Sequence, residues 1–193
     1  FAGRVLDHMR DRLKVFQEET GHHYNLEATP AEGTSYRLAR LDRERFPGIQ
    51  FANQAAVDGG AEPFYTNSSQ LPVDYSSDVF EVLELQDGLQ AKYTGGTVLH
   101  VFLGESVADP AAVRAFVRRV CAKYSLPYFT LSPSFSICPT HGYLRGERTH
   151  CPFCGEKAEI YARVVGYLRP VDQWNDGKRA EFHQRSRYTV GGD

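Results

Sequence analysis

Thr97-Val98-Leu99-His100-Val101-Phe102-Leu103 is the stretch on which the fold turns. Gly95-Gly96 punctuates the chain before it, and its run of valine, leucine and phenylalanine reads as a buried strand. Asp109-Pro110 follows, a capping side chain and then a proline suited to the first turn of a helix. Val113, Phe116, Val117, Val120, Cys121 and Tyr124 fall on one face of that helix. Tyr128 to Leu131 then reads as a second strand. A strand, a helix and a strand in that order predict an α/β architecture.

Upstream, Val5, Leu6, Met9, Leu13 and Phe16 recur at helical spacing, with Gly21 as a stop. A second helix is expected from Thr29-Pro30-Ala31-Glu32. Residues 46–78 are rich in Gly, Pro, Asn and Ser and read as loops with short extended pieces. Asp78 to Gln86 fits a short helix. Downstream, Ile160 to Val165 is apolar enough for a strand, and the charged tail from about Asn175 is expected to be helical. Residue 1 is Phe and a helix begins at once, which reads as a piece of something larger.

The 193 residues suffice for one domain with a core, or one domain and a small appendage. A formal net charge of -2 offers no basic surface for nucleic acid. No apolar run is long enough for a bilayer, and no signal-peptide pattern opens the chain, so a cytoplasmic protein without membrane partners is expected.

Residues 138–155 are polar, short and cysteine-bearing, too small to own a core, and a metal would let them fold. Cys138-Pro-Thr-His141 and Cys151-Pro-Phe-Cys154 are paired chelating turns of the kind that bind zinc. Pro139 and Pro152 stiffen both turns, and Gly142 and Gly155 let the backbone curl. The expected ligands are Cys138, His141, Cys151 and Cys154, with His150 as the alternative to His141. Four protein ligands leave no open position, so the ion would be structural. The fourth cysteine, Cys121, reads as core filler on its helix.

Soon after the second pair comes Arg163-Val164-Val165-Gly166-Tyr167-Leu168-Arg169-Pro170. A glycine after a β-branched run ordinarily marks a bend or bulge. The sharper reading is a backbone radical. Glycine has no Cβ, so its α-carbon can flatten after losing hydrogen, and the adjacent amide and carbonyl share the unpaired electron. Such a radical needs shelter from oxygen, and Val164, Val165 and Leu168 are expected to form an apolar sleeve.

The Cys-x-x-His and Cys-Pro-x-Cys-Gly pairs, Arg-Val-x-Gly-Tyr, and Trp174-Asn175-x-Gly177-Lys178 together resemble anaerobic (class III) ribonucleoside-triphosphate reductases. Asn25 to Glu32, Tyr65 to Val73 and Gly95-Gly96-Thr97 extend the resemblance over nearly the whole chain. It implies the carboxy-terminal part of a ten-stranded α/β barrel of the glycyl radical enzyme type, with a zinc-ribbon appendage. Residues 1-131 would be partial barrel, 132-159 the zinc-binding knuckle, and 160-193 the glycyl radical loop and tail. It implies that Gly166 stores the radical, installed by a separate iron–sulfur, S-adenosylmethionine-dependent activase. It also implies ribonucleoside triphosphate substrates and a homodimer. The family's thiyl cysteine has no counterpart here, because three cysteines are committed to metal, so an upstream reductase portion is expected to supply it. Two other readings are a stand-alone glycyl-radical spare-part subunit and a zinc-ribbon binding module without a radical.

Thr34 and Ser35 open the helix that carries Arg37 and Arg40. A helix amino end binds phosphate through its free N–H groups, and these hydroxyls would add donors. The competing reading is a capping box, Thr29-x-x-Glu32.

Overall fold

The computed structural model describes residues 1–104, 107 and 109–189. Among them the order is α1 (Ala2–Thr20), α2 (Glu32–Arg45), α3 (Gln54–Asp58), α4 (Val79–Gln90), β1 (Leu99–Leu103), α5 (Pro110–Lys123), β2 (Phe129–Pro133), β3 (Phe135–Cys138), β4 (Gly142–Arg145), β5 (Glu159–Arg163), β6 (Leu168–Pro170), a 3-10 turn (Val171–Gln173) and α6 (Asp176–Gln184).

The predicted strand–helix–strand unit is present. β1 and β2 pair in parallel, Leu99 opposite Phe129 and Leu103 opposite Pro133, with α5 as the crossover. Asp109 caps α5 by accepting from the Ala111 N–H, and Pro110 occupies the first turn. Side-chain alternation along β1 divides its labour. Leu99, Val101 and Leu103 enter a core with Val79 and Leu83 of α4 and Phe116 and Val120 of α5. His100 and Phe102 face the other way, toward a cavity.

Cys121 does not join that core. It is exposed, because the buried face of α5 is centred on Phe116 and Val120 and the next residue turns about 100° away. The α1 stripe is likewise buried only at Leu6, while Val5, Met9 and Phe16 stay exposed. Gly21 ends α1 in the left-handed conformation, as its position suggested.

The second sheet is antiparallel in the order β4-β3-β5-β6. β3 and β4 form the cysteine-bearing hairpin, and β5 and β6 form the next one. β5 begins at Glu159 and pairs with β3, so one sheet joins the metal segment to the residues after it. Two sheets of two and four strands are what the described residues contain; a ten-stranded barrel is not visible in them.

α6 covers the β5–β6 hairpin with Phe182, which packs with Val164, Val165, Val171 and Trp174. It also carries a buried charge cluster. Lys178 and Arg185 both pair with Glu181, and all three are buried. Burial alone would raise the Glu181 carboxyl, but Lys178 and Arg185 outweigh it and hold the group below the ordinary carboxylate range. After α6 the chain returns to β1, where the Tyr188 N–H donates to the Phe102 carbonyl at 2.9 Å.

Three boundaries differ from expectation. α2 starts at Glu32 with Ala31 as its uncapped N-cap. Residues 46–78 contain the short helix α3. The strand expected over Ile160–Val165 stops at Arg163, because the next four residues form the turn described below.

Candidate functional site

The four predicted ligands converge. The ligating atoms of Cys138, His141, Cys151 and Cys154 lie within 4.8 Å of one another. Cys138 Sγ is 3.7 Å from Cys154 Sγ and 3.7 Å from His141 Nδ1, and Cys151 Sγ is 3.6 Å from His141 Nδ1. A tetrahedron built from zinc–sulfur and zinc–nitrogen bonds of about 2.3 and 2.05 Å has edges of roughly 3.8 Å between sulfurs and 3.6 Å between sulfur and nitrogen. The donor set therefore fits a zinc-sized ion, with Nδ1 as the histidine ligand. His150 lies outside this set; its Nδ1 contacts Thr149 Oγ1 and its backbone bridges Lys157.

The local sequence explains the convergence. Gly142 and Gly155 adopt φ of 71° and 75°, left-handed positions after each chelating turn. The His141 N–H points at Cys138 Sγ and the Phe153 N–H at Cys151 Sγ. Burial pushes the Cys151 thiol up, but the Phe153 and Cys154 N–H groups and the neighbouring thiols bring it down to about 7. A thiol so placed yields thiolate for a metal near neutral pH.

The cluster sits at one end of the second sheet and Gly166 at the other. β5 runs from Glu159, opposite Ile137, to Arg163, a span of about 14 Å. The metal segment thus braces the hairpin through the sheet, not by contact.

The turn between β5 and β6 is closed by the Val164 N–H donating to the Tyr167 carbonyl at 3.1 Å. Val164 and Val165 point inward and are buried, whereas Gly166, Tyr167 and Leu168 are exposed. The sleeve is therefore Val164 and Val165 with Trp174 and Phe182, not Leu168, and in this chain the glycine itself lies at the uncovered tip. The cause is the hairpin geometry, which sends the first two residues into the core and turns the next two back out.

Three side chains tie this turn down. Arg163 Nη1 donates to the Gly166 carbonyl at 2.7 Å while its Nε donates to Ser132 Oγ at 2.8 Å. Arg185 Nη1 and Nη2 donate to the carbonyls of Arg163 and Val164 at 2.8 and 3.4 Å. The Tyr167 hydroxyl donates to Glu32 Oε2 at 3.2 Å. Glu32 is thus engaged with the hairpin and makes no capping box with Thr29.

Gly166 is not a glycine by structural necessity. Its φ is outside the left-handed region, and a Cβ added there meets no heavy atom within 4 Å among the described residues. Gly96 and Gly177 contrast with it. A Cβ on Gly96, at φ 68°, would come within 2.8 Å of the Ala28 carbonyl oxygen, and one on Gly177 within 2.6 Å of the Tyr36 ring.

Beside the hairpin is a cavity of about 110 Å³ whose walls include Asn67, Ser68 and Gln70, His100 and Phe102 of β1, Val164 and Val165, and Glu181 and Arg185. Burial, reinforced by the positive charge of Arg163 and Arg185, lowers the His100 pKa to about 4. The ring is therefore neutral at pH 7. Its Nδ1 is 2.8 Å from Thr130 Oγ1, and its buried Nε2 has no partner among the described residues. Arg163 belongs to the Arg-Val-x-Gly-Tyr motif, but its contacts, like those of His100 and Arg185, are not legible in the sequence because each is made with distant neighbours. Thr34 and Ser35 are not on the cavity wall: Thr34 is exposed and the Ser35 hydroxyl donates back to the Glu32 carbonyl at 3.5 Å.

A family model described as anaerobic ribonucleoside-triphosphate reductase matches residues 1–188. Proteins of that name from Haemophilus influenzae and Enterobacteria phage T4 are 26% and 28% identical over 95% of the chain. The chain spans only 26% and 31% of their lengths. A solved anaerobic ribonucleotide reductase superposes on 95% of this chain, and 28% of its own, with a TM-score of 0.74 at 29% identity. The Thermotoga maritima anaerobic ribonucleotide reductase in complex with dATP and CTP superposes on 92% of this chain, and 27% of its own, with a TM-score of 0.67 at 28% identity.

Proposed function

Because the chain belongs to the anaerobic ribonucleoside-triphosphate reductase family, we propose that it is the radical-bearing carboxy-terminal portion of such an enzyme, with Gly166 as the residue that stores the radical. One observation carries this reading. Gly166 ends a hairpin held by three separate side chains, yet neither backbone conformation nor packing demands a glycine there. A chemical demand remains: loss of the α-hydrogen leaves a carbon that flattens freely and shares its electron with the flanking amide and carbonyl.

The chain's own residues have definable tasks. Arg163 hydrogen-bonds the carbonyl that would share the spin, and Arg185 fixes the carbonyls of Arg163 and Val164. Val164 and Val165 anchor the turn in apolar surroundings beside the cavity. Cys138, His141, Cys151 and Cys154 would hold zinc, which supplies cross-linking of the hairpin ends and no reactive position. Residues 1-131 would form part of the barrel wall, with 132-159 the knuckle and 160-193 the radical loop and tail. Residues 190–193 lie outside the described residues.

The rest of the reaction belongs to partners. An upstream reductase portion would supply the thiyl cysteine and cover the Gly166 tip. A separate iron–sulfur, S-adenosylmethionine-dependent activase would remove the hydrogen. The substrates would be ribonucleoside triphosphates, reduced at the 2′ position with loss of water. The β1–α5–β2 unit and its core favour this reading over a spare-part subunit consisting of a loop and tail alone.

The test is anaerobic incubation of the chain and upstream portion with activase, followed by electron paramagnetic resonance and then air. A glycyl doublet and a backbone cut at residue 166 on a denaturing gel are expected. An intact chain with no signal would overturn the proposal.

A further inference from the structure

Arg163 does more than cap its own hairpin. Its Nε reaches Ser132 Oγ on β2, Ser132 Oγ is 3.1 Å from Thr130 Oγ1, and Thr130 Oγ1 is 2.8 Å from His100 Nδ1. Together with the bond from Arg163 Nη1 to the Gly166 carbonyl, these contacts form one unbroken line from the hairpin tip to the cavity wall.

The polarity of that line follows from satisfying its buried hydrogens. Arginine can only donate, so Ser132 accepts from Arg163. Ser132 is buried, and its own hydrogen finds its acceptor in Thr130. Thr130 in turn donates to His100 Nδ1. The neutral imidazole then carries its proton on Nε2, the ring nitrogen without a partner among the described residues, which belongs to a residue on the cavity wall. The reverse polarity would leave the Ser132 hydrogen without an acceptor and is disfavoured.

We infer that Arg163, Ser132, Thr130 and His100 form a hydrogen-bonded relay that joins the Gly166 carbonyl to a ligand oxygen received by His100 Nε2–H in the cavity. The inference rests on the proposed role of Gly166 and goes beyond it by making Arg163 a positioning residue and His100 a cavity donor. An oxygen acceptor on Nε2–H makes Nδ1 more basic and tightens the bonds from Thr130, Ser132 and Arg163 Nε, which holds the Arg163 guanidinium in place beneath the Gly166 carbonyl. The ligand class is therefore one that presents an oxygen with a free lone pair, as a hydroxyl, carbonyl or phosphate does. The hairpin would sense whether the cavity is filled without any ligand atom touching Gly166.

A double-variant cycle tests this in the complete, activated enzyme, reading the anaerobic half-life of the Gly166 signal. Ser132→Ala leaves Arg163 unanchored and is expected to shorten the half-life at least about tenfold, the worth of one charge-assisted bond. His100→Phe, which keeps a ring of similar size at the far end, is expected to shorten it also. If the two act through one line, the double variant decays no faster than Ser132→Ala alone. Multiplying effects, or no effect from either, would overturn the relay. Arg163→Lys, which keeps the charge but loses the two-pronged reach, replaces Ser132→Ala if that variant misfolds. Failure of the unaltered enzyme to give any signal would instead sink the proposed role of Gly166, and the relay with it.

Discussion

Gly166→Ala separates a structural glycine from a chemical one. The added methyl meets no heavy atom within 4 Å, and the backbone is outside the left-handed region. Alanine therefore restricts the unfolded chain without straining the folded one, a gain of about 0.4–1 kcal/mol. For a chain of this size that corresponds to a rise of about 1–4 °C in Tm. Gly177→Ala is the control, because its methyl would enter the Tyr36 ring at 2.6 Å where α6 packs on α2. Overpacking there should cost about 1–3 kcal/mol. The assay is thermal unfolding of both variants beside paramagnetic resonance after activation. Gly166→Ala should melt no lower than the parent and give neither a doublet nor an oxygen-dependent cut. A fall in Tm like that of Gly177→Ala would show that the glycine is structural after all. A persisting radical would refute the assignment outright.

Removing the metal with a chelator should unfold residues 132–159, seen as rapid amide exchange there while the α4–α5–β1 core stays protected; Cys154→Ser should lose the bound metal measured by elemental analysis. His100 makes stability depend on pH. Its folded pKa, about 4, lies below the unfolded value of 6.5, so its contribution is complete above 6.5 and is lost as the pH falls toward 4. Denaturant titrations at pH 7 and pH 4.5 should differ between the parent and His100→Phe by on the order of 2–3 kcal/mol, and equal pH dependence would show that His100 is not buried neutral. Glu181→Ala strands Lys178 and Arg185 as buried cations and should cost about 3–5 kcal/mol by denaturant unfolding.

The parts of the fold written in local patterns were readable from sequence: the helical spacing of α1, the Asp109-Pro110 start of α5, the apolar run of β1. So was the convergence of Cys138, His141, Cys151 and Cys154, because paired cysteine turns encode their geometry within a few residues. β3, β4 and β6 escaped because strands of three or four residues carry too little alternation to register. Thr29 lies at the right offset for a capping box with Glu32, yet the tertiary partner Tyr167, far along the chain, takes the Glu32 carboxylate. The placement of Gly166 at an exposed tip, and of Cys121 outside the core, depended on which neighbouring surfaces the chain brings with it. The contacts of Arg163 and His100 are not legible in the sequence, since their partners on β2 become neighbours only when the sheet forms.

The hairpin's second half is held as firmly as its first. β6 pairs with β5, Trp174 and Phe182 pack on Val164 and Val165, and Arg185 reaches back across the turn to carbonyls that precede Gly166. Should air sever the backbone at that glycine, the segment beyond it would stay docked as a nicked but assembled protein. The two pieces should co-elute in native chromatography and part only in denaturant, so damaged molecules would pass as intact in any preparation judged by size alone.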